Sequence, residues 1–407
     1  MTKTNVARLL TARHETDAIF HEVMPEAMYD RPIPERHRIV FYIGHLEAFD
    51  WNLLGEVAGL HGSHAEFDKL FAFGIDPVGG NLPTDRPEDW PRLETVHAYR
   101  DRVREELDQV LANASPQLLN VAIEHRLMHA ETLAYILHQL PFERKSKQPS
   151  RGAQQSSAFI PGSAVRIPSG EAVLGLRPDT ELFGWDNEFN EHTVHVPEFT
   201  IDQYKVTNGE FLRFVEAGGY SNNAWWTADD WAWRSSNGIV HPAFWVRRGD
   251  TWSYRAMFHE LPLPLDWPVY VSHAEASAYA RWAGKRLPTE AQWQLAASGS
   301  AAHAVAGAWD PAPVNHCEAS VSAFGVKGLF GNGWEWTSTE FAPFPGFRPF
   351  ACYPGYSEPF FDGRHYVLKG GSVRTAQCML RPSFRNWFQP HYQYTYSGFR
   401  CVANRRD

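Results

Sequence analysis

Apolar residues recur at helical spacing through the N-terminal third of the chain. One stripe runs from Asn5 to Met28, and a second begins after Pro34 and extends to Leu53. A third covers residues 92–111, and a fourth runs from Ser115 to Leu140. Ser is a good helix N-cap and the Pro that follows it suits the first helical position, which marks the start of the fourth helix. Four amphipathic helices predict a helical bundle.

The connection between the second and third predicted helices is long. Residues 67–90, FDKLFAFGIDPVGGNLPTDRPEDW, are rich in Gly, Pro and Asp. A connection of this length without its own periodicity is uncommon in a compact domain unless it serves a site. We therefore predict that this loop lies over a functional site of the bundle.

A polar stretch after the bundle predicts a domain boundary. Residues 143–163, ERKSKQPSRGAQQSSAFIPGS, contain Gly, Ser and Pro without periodicity, as interdomain linkers do. We predict a helical domain over residues 1–142, this linker over 143–163, and a second domain over 164–407.

The second domain has a different pattern. Short alternating runs such as 193–196 and 366–368 stand between clusters of Gly, Pro, Asn and Asp and predict strands. Helical spacing is evident only around Asn208–Val215 and His273–Ala283. The pattern predicts a loop-rich α+β domain, and thus a multidomain protein of one α and one α+β domain.

Composition narrows the classes of function. A chain of 407 residues exceeds the size at which one core keeps growing, so two domains are expected. The formal charge of −9 and the lack of a basic run exclude a phosphate-binding surface, so nucleic acid is not an expected partner. No secretory signal pattern or membrane-spanning apolar stretch is present, so we predict a cytoplasmic protein without a membrane partner.

Three histidines of the bundle form a candidate metal site. The sequence HRLMHAE places His125 and His129 four residues apart, on one face of the fourth helix. His45 lies on the second helix, which as a neighbour in the bundle brings a third imidazole to the same point. His125 lies in an apolar run, where an unpaired imidazole is costly to bury. Three imidazoles leave open positions on a six-coordinate metal for substrates and dioxygen.

Two alternatives remain for these histidines. Pairs of His at this spacing also arise by chance on exposed helix faces. A zinc site with three imidazoles and a water is the rival metal chemistry, as in a hydrolase, and residue types do not separate zinc from iron.

The second domain carries a set of motifs in a fixed order: YKVTNGEFLRFVEAGGY (204–220), DWPVYVSHAEASAYARWAGKRLPTEAQWQLAA (266–297), GLFGNGWEWTS (328–338), LKGGS (368–372) and SGFRC (397–401). They closely resemble the formylglycine-generating enzyme, or sulfatase-modifying factor, family, and the resemblance implies a C-type-lectin-like fold. That family's catalytic cysteine pair follows the GGS motif, where this sequence has only Cys378. A copper thiolate oxidase is therefore disfavoured.

The whole chain is similar to the sulfoxide synthases that make ergothioneine and ovothiol, in which a DinB-like four-helix bundle precedes such a domain. The resemblance implies iron(II) held by His45, His125 and His129, dioxygen as co-substrate, and N-trimethylated histidine (hercynine) as a substrate. It also implies that Asn386, Trp387 and Phe388, in SFRNWF, contact hercynine. An aromatic face suits a trimethylammonium group, which has no N–H donor, and an Asn side chain suits a carboxylate. Ordinary core packing is the alternative for the two aromatic residues.

Several departures from the usual ergothioneine enzymes concern the second substrate. Phe388 stands where the type that uses gamma-glutamylcysteine carries an Asp, and the loop contains only Arg86 in place of an arginine-rich sequence. Met128 stands where that family often has a substrate-binding Gln. A thiol with two carboxylates is poorly matched by such a site.

These features, together with GHLEAFD and HRLMHAETLAYILH, most resemble the selenoneine synthase branch. This branch joins a selenosugar to hercynine through a carbon–selenium bond. The alternatives are an ergothioneine-type synthase that joins cysteine or another thiol to hercynine, and a zinc-dependent DinB-like thiol transferase or hydrolase.

A tyrosine donates a hydrogen or proton to the oxygen intermediate in the sulfoxide synthases. In this sequence ACYPGYSEPFFDGRHY offers Tyr353 and Tyr356 for that role. Aromatic packing is the alternative for both, and a different alignment puts Phe350 at the family's position and leaves no equivalent tyrosine.

Overall fold

The structure is a computed structural model, which describes residues 2–55, 58–60, 65–72, 82–146, 162–301, 307–316 and 320–404. The chain divides into two compact units, Met1–Gln148 and Pro149–Asp407. Residues 147–161 of the predicted linker and residues 73–81 of the predicted loop lie outside the described residues.

The N-terminal unit is helical, as predicted. Its helices are α1 Thr2–Phe20, α2 Ile39–Asp50, α3 Ala65–Leu70, α4 Leu93–Asp108 and α5 Pro116–Gln139. The α1 helix packs along α5, and α2 packs against both α4 and α5. The Ser115 hydroxyl caps α5 by accepting a hydrogen bond from the Leu118 amide at 3.2 Å, as the sequence predicts.

The first helix is shorter than predicted. It ends at Phe20 and does not continue to Met28. Pro25 has no amide hydrogen for a helical bond and begins a short 3₁₀ turn, Pro25–Ala27. Just before it, Val23 forms a β-bridge with Lys145, which follows the last helix of the bundle. The apolar stripe therefore continues past the helix because this segment is packed, although it is not helical.

The C-terminal unit combines short helices with small sheets. Its helices are α6 Asn208–Glu216, α7 Ala228–Ser236, α8 His273–Trp282 and α9 Glu290–Ala296. Its strands are β1 Ala164–Ile167, β2 Gly170–Leu174, β3 His192–Val196, β4 Phe199–Asp202, β5 Trp245–Arg248, β6 Thr251–Arg255, β7 Glu260–Pro262, β8 Lys285–Arg286, β9 Trp334–Glu340, β10 Tyr366–Lys369, β11 Asn386–Phe388, β12 Ser397–Gly398 and β13 Val402–Ala403.

Four sheets are formed by the described strands, in the orders β1-β4-β13-β8, β11-β10-β9-β12, β2-β3 and β5-β6-β7. All neighbouring pairs are antiparallel except β9 and β12. The SFRNWF motif supplies β11, an edge strand in which Trp387 pairs with Val367 and Phe388 with Tyr366. The motif is therefore held in a defined register on a sheet.

Two helices of this unit were missed by the sequence analysis. The α7 helix has polar and aromatic residues without an apolar stripe, and it begins where the Thr227 hydroxyl accepts from the Asp230 amide at 3.1 Å. The α9 helix spans seven residues, too few to show a period, and starts with a capping box between Thr289 and Gln292. Capping residues were the available signal for both helices.

Part of the aromatic surplus of the sequence lies in the core. Trp185, Trp245, Trp293 and Trp336 are fully buried. The indole N–H of Trp293 donates to the buried carboxylate of Glu335 at 2.9 Å, which satisfies its one polar atom. In the part of the chain that the structure describes, no helix has both the length and the apolar character needed to cross a membrane.

Candidate metal centre and aromatic cluster

The three predicted histidine ligands meet inside the bundle. His45 on α2 and the pair His125 and His129 on α5 are all buried, and one ligand atom of each lies within 4.8 Å of the other two. The Nε2 atom of His129 is 3.2 Å from that of His45 and 3.2 Å from that of His125. Within the described residues this is the one group of three or more His, Cys, Asp or Glu side chains with this geometry.

Burial keeps the three imidazoles neutral. It lowers the pKa of His45 to about 4, and it lowers the pKa values of His125 and His129 well below the ordinary value, with the neighbouring imidazoles adding to the shift. A neutral imidazole has one nitrogen lone pair, the form in which it binds a metal.

The backbone around His45 fixes which of its nitrogens carries the proton. Its Nδ1 atom lies 2.7 Å from the carbonyl oxygen of Phe71, which only accepts. The Nδ1 atom is therefore the donor, and the Nε2 lone pair faces the other two histidines. The ring of Phe41 stacks on His45 at a centroid distance of 4.9 Å.

The donor set fits a metal ion. With the Nε2 atom of His45 restricted to accepting, a single Nε2–H on His129 donates to His45 or to His125, but not to both. Hydrogen bonding alone therefore leaves one of the two close contacts unsatisfied, whereas a cation between the three nitrogens satisfies all three lone pairs. Phe49 covers His125 by stacking at 3.4 Å between ring centroids. Three imidazoles in an apolar setting suit iron(II) or zinc.

A buried ion network joins the two helices that carry the histidines. The guanidinium of Arg126, next to His125, donates to Glu47 at 3.0 Å, to Asp50 at 2.6 Å and to the backbone carbonyl of Leu46 at 3.0 Å. Arg126, Glu47 and Asp50 are at most 1% exposed. Burial raises the pKa of Glu47, but Arg126 and Arg104 outweigh it and lower that pKa to about 2. The network fixes the register of α5 against α2.

The described end of the predicted loop is anchored near the start of α2. Asp85 accepts from Arg38 Nε at 3.0 Å and from the Trp90 indole at 2.7 Å, and it also pairs with Arg31. The Trp90 ring packs against Phe41, which stacks on His45.

In the C-terminal unit, Trp387 belongs to an aromatic cluster. Its ring stacks on Phe341 at 4.2 Å, and Tyr356 and Phe360 approach it at 5.2 and 5.5 Å between centroids. Tyr356 in turn stacks on the buried Trp185 at 3.9 Å. We call Trp387, Phe341, Tyr356, Phe360 and Trp185 the Trp387 cluster. Tyr356 is buried in it.

The other predicted substrate residues are placed differently. Tyr353 is half-buried at the border of the Trp387 cluster, and its ring centroid lies 5.6 Å from that of Tyr356. Successive side chains of a strand point to opposite faces, so Asn386 and Phe388 lie on the face of β11 opposite Trp387. Phe388 accordingly stacks on Tyr392 at 5.2 Å. Met128 is half-buried on α5, next to His129 in sequence.

The sequence alone did not indicate which residues surround the three histidines. The carbonyl of Phe71 has no sequence signature, because a backbone acceptor is common to every residue. Arg126 did carry a signal, since a charged residue within an apolar helical run needs a buried partner.

Comparisons with known proteins agree with both units. Residues 8–140 match the DinB superfamily, and residues 150–405 match the sulfatase-modifying factor enzyme 1-like domain. The chain is 41% identical over 268 residues to the hercynine oxygenase of Mycolicibacterium smegmatis, covering 60% of this chain and 61% of that protein. It is 36% identical to the hercynine oxygenase of Mycolicibacterium thermoresistibile, covering 74% of this chain and 72% of that protein.

The chain belongs to the hercynine oxygenase family. It is also 26% identical to ergothioneine biosynthesis protein 1 of Neurospora crassa, over 95% of this chain and 56% of that protein. The matched part thus spans less than two thirds of the M. smegmatis and N. crassa relatives. The predicted fold, a DinB-like helical bundle followed by a sulfatase-modifying-factor domain, is confirmed, and so is the predicted class, an enzyme of an oxygenase family.

Proposed function

We propose that this chain is a dioxygen-dependent iron(II) enzyme that joins a chalcogen atom to the imidazole of hercynine. The observation that carries the proposal is the convergence of three buried, neutral imidazoles from α2 and α5 on one point. The names of the related hercynine oxygenases support hercynine as the substrate.

His45, His125 and His129 would hold the iron. Bound there, iron(II) supplies the capacity to coordinate and reduce dioxygen. The protein's own contribution is to orient the three imidazoles and to exclude water from them. The Phe71 carbonyl fixes the proton on Nδ1 of His45, Phe49 and Phe41 cover two of the imidazoles, and Arg126 holds the two helices in register.

Hercynine recognition is proposed for Asn386, Trp387 and Phe388, with Met128 as a further contact. A trimethylammonium group is held best by aromatic faces, which the Trp387 cluster supplies. Tyr356, whose ring meets that of Trp387, and its neighbour Tyr353 are the proposed hydrogen or proton donors.

A neutral selenosugar is the proposed chalcogen donor, which makes the product selenoneine. A peptide thiol with two carboxylates needs guanidinium groups, and Arg31 and Arg38, which precede α2 and contact the described end of the loop, are already paired with Asp85. The side chain of Phe388 brings no charged group to the position where the gamma-glutamylcysteine type carries an Asp. A thiol donor, giving a carbon–sulfur bond, is the second candidate, favoured by the name of the N. crassa relative.

The test is turnover with defined donors. The protein is loaded anaerobically with iron(II), hercynine and either a selenosugar, cysteine or gamma-glutamylcysteine, and products are followed by mass spectrometry after air is admitted. We expect an oxygen-dependent hercynine adduct containing selenium. An adduct formed only with a thiol would show that the donor is a thiol and that the bond formed is a carbon–sulfur bond. No adduct with any donor, together with tightly bound zinc, would refute the oxygenase and favour a zinc-dependent transferase or hydrolase.

The residues proposed to bind hercynine lie on opposite faces of β11, so they can be tested separately. Trp387→Ala is expected to weaken hercynine binding by about 30-fold, because a desolvated cation–π contact contributes about 2 kcal/mol. Binding of unmethylated histidine should change much less, since it lacks the trimethylammonium group. Dissociation constants from calorimetry measure both.

Two variants serve as comparisons for Trp387→Ala. Trp252→Ala removes the same side chain from β6 and should leave hercynine affinity unchanged. Phe388→Ala probes the opposite face of β11. If only Phe388→Ala weakens hercynine, the ammonium group binds on the Tyr392 side and the assignment to the Trp387 cluster is wrong.

A further inference from the structure

A glycine on α2 allows an unusually close approach of an aromatic ring. A Cβ atom built on Gly44 would lie 2.5 Å from three ring carbons of Phe71. Carbon atoms do not approach this closely without displacement. Gly44 is in the interior of a helix, where glycine is less favourable than alanine by about 1 kcal/mol. A glycine directly before His45 therefore has a packing reason, which is the space occupied by the Phe71 ring.

The same Phe71 orients the next residue of α2. Its carbonyl oxygen accepts the Nδ1–H of His45 at 2.7 Å. Metal-binding histidines commonly donate their second ring N–H to a carboxylate or a carbonyl, and this bond fixes both the tautomer and the ring orientation. The ring of Phe71 thus contacts Gly44 while its backbone contacts the following residue, so both contacts depend on the position of one residue.

Phe71 is held from its other side. Its ring, fully buried, stacks on Tyr99 of α4 at 5.8 Å and on Trp90 at 6.1 Å. The hydroxyl of Tyr99 donates to Asp68 of α3 at 2.6 Å. The end of α3 is therefore fixed against α4 through Tyr99, and the carbonyl of Phe71 has little freedom to move away from His45.

We propose that Gly44 and Phe71 act as a pair of positioning residues, which hold His45 in the tautomer and orientation that present its Nε2 atom to the metal. The proposal rests on the proposed metal centre and extends it beyond its three ligands. Neither residue touches the metal or a substrate. Gly44 acts by leaving room for the Phe71 ring, and Phe71 acts through its carbonyl group.

The alternative is ordinary packing, in which the pair stabilises the bundle without affecting the metal. A double-mutant cycle separates the two. Gly44→Ala, Phe71→Ala and the double variant are titrated with cobalt(II), whose visible spectrum reports ligand geometry, and melting temperatures are recorded in parallel. Gly44→Ala is expected to weaken cobalt binding by about 10- to 100-fold, as loss of a partner that orients a ligand does, and to shift the spectrum.

The coupling between the variants is the decisive quantity. In the Phe71→Ala background the ring is absent, so the methyl group that Gly44→Ala adds meets no obstacle and should cause little further loss of affinity. Leu107→Ala, at a fully buried position near the C-terminal end of α4, is the control. It should lower the melting temperature and leave the cobalt affinity and spectrum unchanged.

Each result has a defined meaning. If the parent protein does not bind cobalt or iron, the metal centre itself is wrong and the positioning role with it. If the parent protein binds cobalt and Gly44→Ala binds it equally well, the positioning role is refuted and the metal centre stands. The same conclusion holds if the weaker cobalt binding of Gly44→Ala is no more than its loss of melting temperature explains, with Leu107→Ala as the reference. Should Gly44→Ala not fold, Tyr99→Phe tests the same pair, because it removes only the hydroxyl bond to Asp68. It is expected to weaken cobalt binding at a nearly unchanged melting temperature, and unchanged binding would refute the positioning role.

Discussion

Replacing His129 by alanine is expected to abolish turnover and to remove the stabilisation of the fold by iron(II). Its Nε2 atom is the one that lies 3.2 Å from those of both other histidines, so its loss leaves two imidazoles without their shared neighbour. In the parent protein, iron at 100 times its dissociation constant should add about 2.7 kcal/mol to the free energy of unfolding. Anaerobic thermal melts with and without iron(II) measure this difference.

Without iron, His129→Ala should melt at a temperature close to that of the parent protein without iron. His97→Ala is the matched control, because His97 is a half-buried histidine on α4 outside the cluster. It should keep both turnover and the stabilisation by iron. If His129→Ala were still stabilised by iron(II) to the same extent, iron would bind elsewhere and the centre described above would be wrong.

Arg126→Met is expected to lower the free energy of unfolding of the bundle by about 3–5 kcal/mol, the usual cost of removing one partner from a buried ion pair. The variant leaves the carboxylates of Glu47 and Asp50 without their main partner at fully buried positions. Chemical denaturation followed by circular dichroism measures the loss.

Arg100→Met provides the comparison. Arg100 lies on the same bundle, and its partner Asp101 is largely exposed, so its ion pair should contribute about 0–1 kcal/mol. Equal effects of the two substitutions would show that the buried network is not what holds α5 against α2. A selective loss in Arg126→Met, accompanied by weaker metal binding, is the expected result.

The meeting of the three histidines was predictable because its geometry is local to helices. Four-residue spacing puts His125 and His129 on one face of any helix, and the cap at Ser115 places that helix in the sequence. The third histidine, His45, was predicted from its position on the neighbouring helix α2. The residues around the three histidines were not predictable. Phe71 and Gly44 are brought together by tertiary packing between residues far apart in sequence, and every residue has a carbonyl acceptor, so the residue type does not reveal it.

The residues proposed to bind hercynine show a different limit. The motif of Asn386, Trp387 and Phe388 was found through resemblance, and β10 was predicted from its alternation. The pairing of the motif with β10 was not predicted, since three residues are too few to show a period. Only that pairing reveals that Trp387 faces one aromatic cluster while its two neighbours face the other side of the strand.

X-ray absorption at the iron edge tests the central claim most directly. Spectra are recorded from the parent protein loaded anaerobically with one equivalent of iron(II), and from His129→Ala treated in the same way. We predict a single iron with three imidazole ligands and oxygen donors at its remaining positions, and loss of this imidazole signature in the variant. Iron bound with a sulfur ligand, or an unchanged imidazole signature in His129→Ala, would contradict a centre built from His45, His125 and His129.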